Sequence, residues 1–315
     1  MRRSVALLGL PLMVMIAGCA PAGSGGPTTP DHRQEAFAQR ATEVAEAWRP
    51  GPQWRGGYLP MQEPTLLLGD PGFTPDTEAA FRAGWYRQQV DLPSTRPADG
   101  TIRFPDGTLT VPLVGAAEAY RQLDQGDPPP CPGRPTGPDR PKSGPTVEPG
   151  PDGPVSSSPQ TTCLPLTVTE VKLGTAPVRT SRGEAQVPAW VFTVAELTAP
   201  VARVAVTPGA TAAAPEPTAP ARPAPNGIVG AQDLEKIDGR TVTYRLGVGA
   251  CDTGITPLVQ ERDDVVVVGG SVVPAEGVCT AMLKLEPVTV TLTAPLGARP
   301  VLDVLTGAPL RLTAN

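Results

Sequence analysis

Apolar residues recur along this chain with two different periods, and the change from one to the other divides it. Up to residue 126 helical spacing is mixed with a short hairpin: Phe37, Ala41, Val44 and Trp48 fall on one face of a helix that Asp31 can cap, with Gln34 three residues on, and Pro50-Gly51-Pro52 ends it. Thr74-Pro75 opens a second, shorter helix carrying Phe81, Trp85 and Tyr86. Ile102-Arg103-Phe104 and Leu109-Thr110-Val111 flank Pro105-Asp106-Gly107, which predicts a hairpin, and Ala116 to Leu123 gives a helical turn or two before Gly126.

After Leu164 the period becomes two. Leu166 to Leu173 alternates, Val187 to Leu197 is rich in strand formers around Trp190 and Phe192, Ser181-Arg182-Gly183 marks the turn between them, and Val201 to Thr207 adds a further strand. Beyond Gly227, Thr241 to Leu246 and Val288 to Leu292 alternate, Val265 to Val268 is a continuous run suited to a strand buried on both faces, and Asp303 to Leu310 turns at Gly307. The pattern predicts a mainly β protein of sandwich-like antiparallel sheets, with a few short N-terminal helices.

Two stretches break it. Residues 127–162 and 208–226 are crowded with proline and poor in large apolar side chains, so each is expected to form a long loop without a core of its own. The resulting division is a leader over 1–18, a tether over 19–30, a mixed unit over 31–207 with 127–162 inserted, a linker over 208–226 and a β unit over 227–315.

The leader fixes the compartment. Arg2 and Arg3 precede an apolar run from Val5 to Ile16 that is too short to span a bilayer and ends in small residues before a cysteine. Ile16-Ala17-Gly18-Cys19 resembles the lipobox of bacterial lipoproteins, which implies diacylation of Cys19 and cleavage before it. The chain is then expected on the extracellular face of the cell membrane, held by two acyl chains. Thr180-Ser181-Arg182-Gly183, Val187-Pro188-Ala189-Trp190 and the run from Ala294 to Val301 look like stretches of lipoproteins from high-GC Gram-positive bacteria. That resemblance carries no assigned activity.

With Cys19 acylated, four of the five cysteines remain. Cys131, Cys163, Cys251 and Cys279 allow three disulfide pairings, of which Cys131–Cys163 and Cys251–Cys279 each bracket a self-contained segment. A zinc site is the alternative, against which stand the spacings and the oxidising compartment.

Charge and chemistry narrow the function by exclusion. Losing Arg2 and Arg3 with the leader takes the formal charge from −5 to about −7, which disfavours nucleic acid as a partner. The sole histidine, His32, stands beside the tether, so no imidazole is available in the β body for a Ser-His-Asp or Cys-His arrangement. Asp252-Thr253-Gly254 resembles the active-site triplet of aspartic proteases, with Val266-Val267-Val268-Gly269 as an echo of their apolar-Gly element. Such an enzyme needs two carboxylates sharing a proton, and the triplet occurs once; a turn beside a disulfide explains it equally. Glu261-Arg262-Asp263-Asp264 offers oxygens to calcium, or forms a solvated turn. Trp48, Trp54, Tyr58, Trp85 and Tyr86 would serve a glycan-stacking platform or a small core. The resulting expectation is a non-catalytic, cofactor-free binding or scaffolding lipoprotein whose partner is an envelope protein or glycan. A carboxylate hydrolase built on Asp252 and a solute-binding lipoprotein are the alternatives.

Overall fold

The structure, a computed structural model, describes residues 30–127, 164–217, 219, 222–277 and 279–313. The protein is mainly β, with two curled sheets and four helices among those residues. The first sheet takes β1 (Thr65–Leu67), β2 (Tyr86–Gln88), β3 (Gly100–Phe104), β4 (Gly107–Val111), β5 (Leu166–Thr180), β6 (Gly183–Val194) and β7 (Val201–Val204), in the order β1-β7-β6-β3-β4, with β5 also paired to β6 and β2 to β5. The second takes β8 (Ile228–Asp238), β9 (Thr241–Gly249), β10 (Thr253–Glu261), β11 (Val266–Val273), β12 (Leu283–Thr291) and β13 (Val301–Asp303), in the order β10-β11-β8-β9-β12, with β13 beside β11. All pairs are antiparallel except β2 with β5 and β11 with β13.

Local chemistry explains the elements. α1 (Pro30–Ala47) already includes Asp31, so that residue lies within the helix and does not cap it. α2 (Pro52–Gly56) is a single turn started by its proline. In α3 (Pro75–Ala83) Thr74 and Thr77 form a reciprocal capping box, the Thr77 N–H donating to Thr74 Oγ1 over 3.2 Å. That helix stops at Gly84 in the left-handed conformation, φ 68°, so Trp85 and Tyr86 leave it and Tyr86 opens β2. α4 (Ala116–Leu123) follows the β3–β4 hairpin, whose turn is Pro105-Asp106.

Three cores result. Each sheet curls round its own, with Ile102, Val168, Val187 and Phe192 in the first and Val242, Tyr244, Leu246, Val266 and Val268 in the second. Tyr244 crosses the second core, its hydroxyl donating to the Gly269 carbonyl over 2.8 Å. The third core lies on the outer face of β11. Phe37, Ala41 and Val44 of α1, with Trp48 just past its end, cover Val265, Val267, Ile228, Leu302 and Val304 there. The Val265–Val268 run is thus buried on both faces, as its unbroken apolar character predicts, and the layer over its second face is a helix from the far end of the chain.

That helix, grouped by sequence with residues 31–207, therefore packs on the sheet of residues 227–315. The two β units also share a strap. Met61 N–H donates to the Arg179 carbonyl (2.8 Å), Ser181 N–H to Leu59 (3.0 Å), Ala212 N–H to Tyr58 (2.8 Å) and Leu312 N–H to Met61 (2.7 Å), so segment 58–62 joins the first sheet, the proline-rich stretch and the C-terminal tail. Described residues of the 208–226 stretch line the body: Ala219 packs on the third core and Arg222 pairs with Glu43 at 3.1 Å. The expected insertion 127–162, beyond Asp127, lies outside the described residues, as do Cys131, Cys163 and the leader with Cys19.

Candidate functional site

A cleft of about 810 Å³ opens where the two β units meet. Trp48, at the end of α1, and Trp54, in α2, form its inner wall, edge to face with ring centres 5.2 Å apart. The prolines on either side of Gly51 turn the chain sharply enough for two residues six apart to stack this way. Ser181 Oγ donates to the Trp54 carbonyl over 2.6 Å, fixing α2 to the β5–β6 turn.

Two hairpin turns of the first sheet make one rim. Arg182 reaches across to Asp106 of the β3–β4 turn with a bidentate contact, Nη2 to Oδ1 at 2.7 Å and Nε to Oδ2 at 3.1 Å, and its guanidinium lies 3.8 Å from the centre of the Phe104 ring. Hydrogen bonding from Arg182 holds the Asp106 carboxyl below its ordinary value. The facing rim belongs to the second sheet: Asp264 in the β10–β11 turn, with Ala298 and Pro300 from the loop before β13. Arg299 fastens that loop, donating to the carbonyls of Ala294 (2.9 Å), Pro295 (3.1 Å) and Arg262 (3.1 Å) and pairing with Glu261 at 3.2 Å. Burial raises the Glu261 carboxyl, but bonds from the Thr293 N–H (2.7 Å), Arg299 and the Thr293 hydroxyl outweigh it and leave it below 4.5.

Arg179 ties the rims together. Its Nη1 donates to Gly297 (2.9 Å) and its Nη2 to Arg299 (3.1 Å), both across the junction. Burial lowers this guanidinium to about 10, which still leaves it charged at neutral pH. The cleft is therefore rigidly built and carries both signs of charge, with Arg55 and Asp264 exposed on its edges. Its one serine hydroxyl is committed to a backbone carbonyl, and His32 sits near the opposite end of α1, 3.7 Å from Glu35.

Of the residues singled out by sequence, Asp252 stands outside this cleft. Its Oδ2 accepts the Gly249 N–H over 2.8 Å in the turn between β9 and β10, and Thr253-Gly254 begins β10, a strand the periodicity does not reveal. Gly269 in the apolar-Gly run makes room: a Cβ there would stand 2.5 Å from Val304 and 3.0 Å from the Val229 carbonyl. Cys251 and Cys279 are joined, with Cα atoms 6.3 Å apart. Glu261 is committed to Thr293 and Arg299, and no group of three metal-ligating side chains occurs among the described residues. Trp48, Trp54, Tyr58 and Tyr86 are buried and Trp85 is half-buried against the first core, so these aromatics build cores. Asp106, Arg179, Arg182 and Arg299 went unmarked as site residues. Both turns were legible as turns, but nothing in a linear reading reports that two of them face each other. No family model, no curated protein and no solved structure matches the chain.

Proposed function

We propose that this protein is a lipid-anchored ectodomain on the extracellular face of the membrane that binds an envelope polymer, a glycan or a peptide, in the cleft between its two β units, without transforming it. The observation that carries the reading is the cleft's construction. Its walls are pinned by Arg179, Arg182 and Arg299, its hydroxyl is occupied by the Trp54 carbonyl, and its exposed edge offers Arg55 and Asp264 beside flat proline faces. Fixed polar groups around a large recess serve recognition. The leader supports the location, since Cys19 ends an apolar run too short to cross a bilayer. Among the described residues no helix is long and apolar enough to cross one either.

The test is co-sedimentation of the mature chain with purified, insoluble peptidoglycan. Binding that falls at least about tenfold in an Arg55→Ala, Asp264→Ala double variant supports the cleft, each lost charged contact being worth about a factor of ten or more. Undiminished binding by that variant, or release of soluble fragments by the unaltered chain, overturns the reading.

A further inference from the structure

Four of the six large hydrophobic side chains that stand exposed among the described residues, Val273, Met282, Leu283 and Leu285, gather at one end of the second sheet. The strand registers place them there: Val273 pairs with Thr253, Ser271 with Ile228, and Leu283 with Gly249. Ala250 N–H donates to the Met282 carbonyl over 3.0 Å, and the Cys251–Cys279 disulfide clamps the β9–β10 turn to the loop before β12. Met282 and Leu283 are 63 % and 65 % exposed, so two adjacent large apolar residues are held open on a cross-linked tip. The charges beside them are Lys284, paired with Glu286 at 2.6 Å, Asp252, which accepts the Gly249 N–H, and Glu276, exposed in the loop before Cys279.

The described chain enters the body at this same end. A Cβ on Gly227 would stand 2.8 Å from Cδ of Arg33, in the first turns of α1, and 2.9 Å from the carbonyl of Val272, the neighbour of Val273. From there the helix runs away from the tip. Thr42 meets Gln260 at 3.2 Å, Glu46 meets Arg262 at 3.7 Å, and Trp48 reaches the cleft. Eighteen residues at about 1.5 Å each put tip and cleft roughly 27 Å apart.

We infer that this apolar tip is a lipid-contacting surface, seated on the bilayer that holds the acylated Cys19, and that it points the cleft outward. The inference rests on the lipid-anchored reading above. Ten residues lie between Cys19 and Pro30, so the two can be no more than about 40 Å apart and the tip stays within reach of the membrane. Shared position with the tether is what favours a bilayer over a protein partner as the occupant.

The experiment uses the mature chain with Cys19→Ser, which carries no lipid, floated with vesicles of phosphatidylglycerol and phosphatidylethanolamine in equal parts. Measurable flotation is expected, falling at least about fivefold when Met282, Leu283 and Leu285 are replaced by serine, since binding scales with the apolar area buried. A Met282→Trp chain is expected to show emission quenched by vesicles with brominated acyl chains, a readout that requires no loss of function. Absence of flotation, equal flotation of the triple variant, or dimerisation through the patch without vesicle binding overturns the inference. Labelling of Cys19 by radioactive palmitate in the unaltered protein tests the anchor separately: no label with flotation retained removes the anchor and leaves the tip.

Discussion

A few single side chains, Asp303 and Glu261 among them, hold distant strands of this molecule together through several hydrogen bonds each. Asp303, 4 % exposed, accepts from Ala231 N–H (2.8 Å), Thr306 N–H (2.8 Å) and the Thr306 hydroxyl (2.7 Å). A Cβ on Gly230 would stand 2.8 Å from its Oδ1, so the glycine of β8 is set by the carboxylate of β13. Glu261 does similar work beside the cleft, and it gives the fold a predictable response to acid. Its folded carboxyl lies below 4.5, so the stabilisation is complete above that value and drains away as pH falls through the folded one. Urea midpoints measured from neutral pH downward are therefore expected to drop further for the unaltered protein than for Glu261→Gln. Parallel curves would show that the carboxylate contributes nothing to acid sensitivity. Asp106 is also lowered, but with 57 % of its side chain exposed the Arg182 pair is screened and counts for little.

Elements were legible in proportion to how local their causes are. The helix start at Thr74-Pro75, the Pro105-Asp106 turn and the two-faced burial of Val265–Val268 follow from neighbouring residues or from composition. α3 ends at Gly84 and not beyond Tyr86, because a glycine free to take positive φ overrides the helical spacing of the two aromatics after it. β10 escaped notice because Thr253–Glu261 is only partly buried and lacks a clean alternation. The cleft was the least visible feature of all, since its pairs, Arg182 with Asp106 and Arg179 with Gly297, bridge 76 and 118 residues of sequence. At this scale the Cys251–Cys279 bridge is expected to add about 3.5 kcal/mol by closing its loop in the unfolded chain. Chemical denaturation of a Cys251→Ser, Cys279→Ser chain checks it, and an unchanged midpoint would mean that native strain cancels the gain.

At the scale of the molecule, the two β units are one structure because α1 and the 58–62 strap belong to both. The segment 227–315 contains a complete sheet, yet without α1 it would present Ile228, Val265, Val267, Leu302 and Val304 to water. Burying a side chain of this kind stabilises by about 1.5–3 kcal/mol, which over five residues rivals the whole stability of an ordinary domain. The isolated segment is therefore expected to aggregate or to lack dispersed amide signals in NMR, while the chain from residue 30 onward unfolds in a single calorimetric transition. Two well-separated heat-absorption peaks in the longer chain would show that the units melt independently.

The same helix has a consequence for the order in which the protein comes into being. A polypeptide made or threaded from its amino end delivers α1 first, but the strands beneath it arrive some two hundred residues later and the Leu312 bond to Met61 arrives last of all. Maturation is thereby deferred until the final stretch has emerged. A chain exported as proposed above would stay slack while it passes a narrow translocation pore, and lock on the far side.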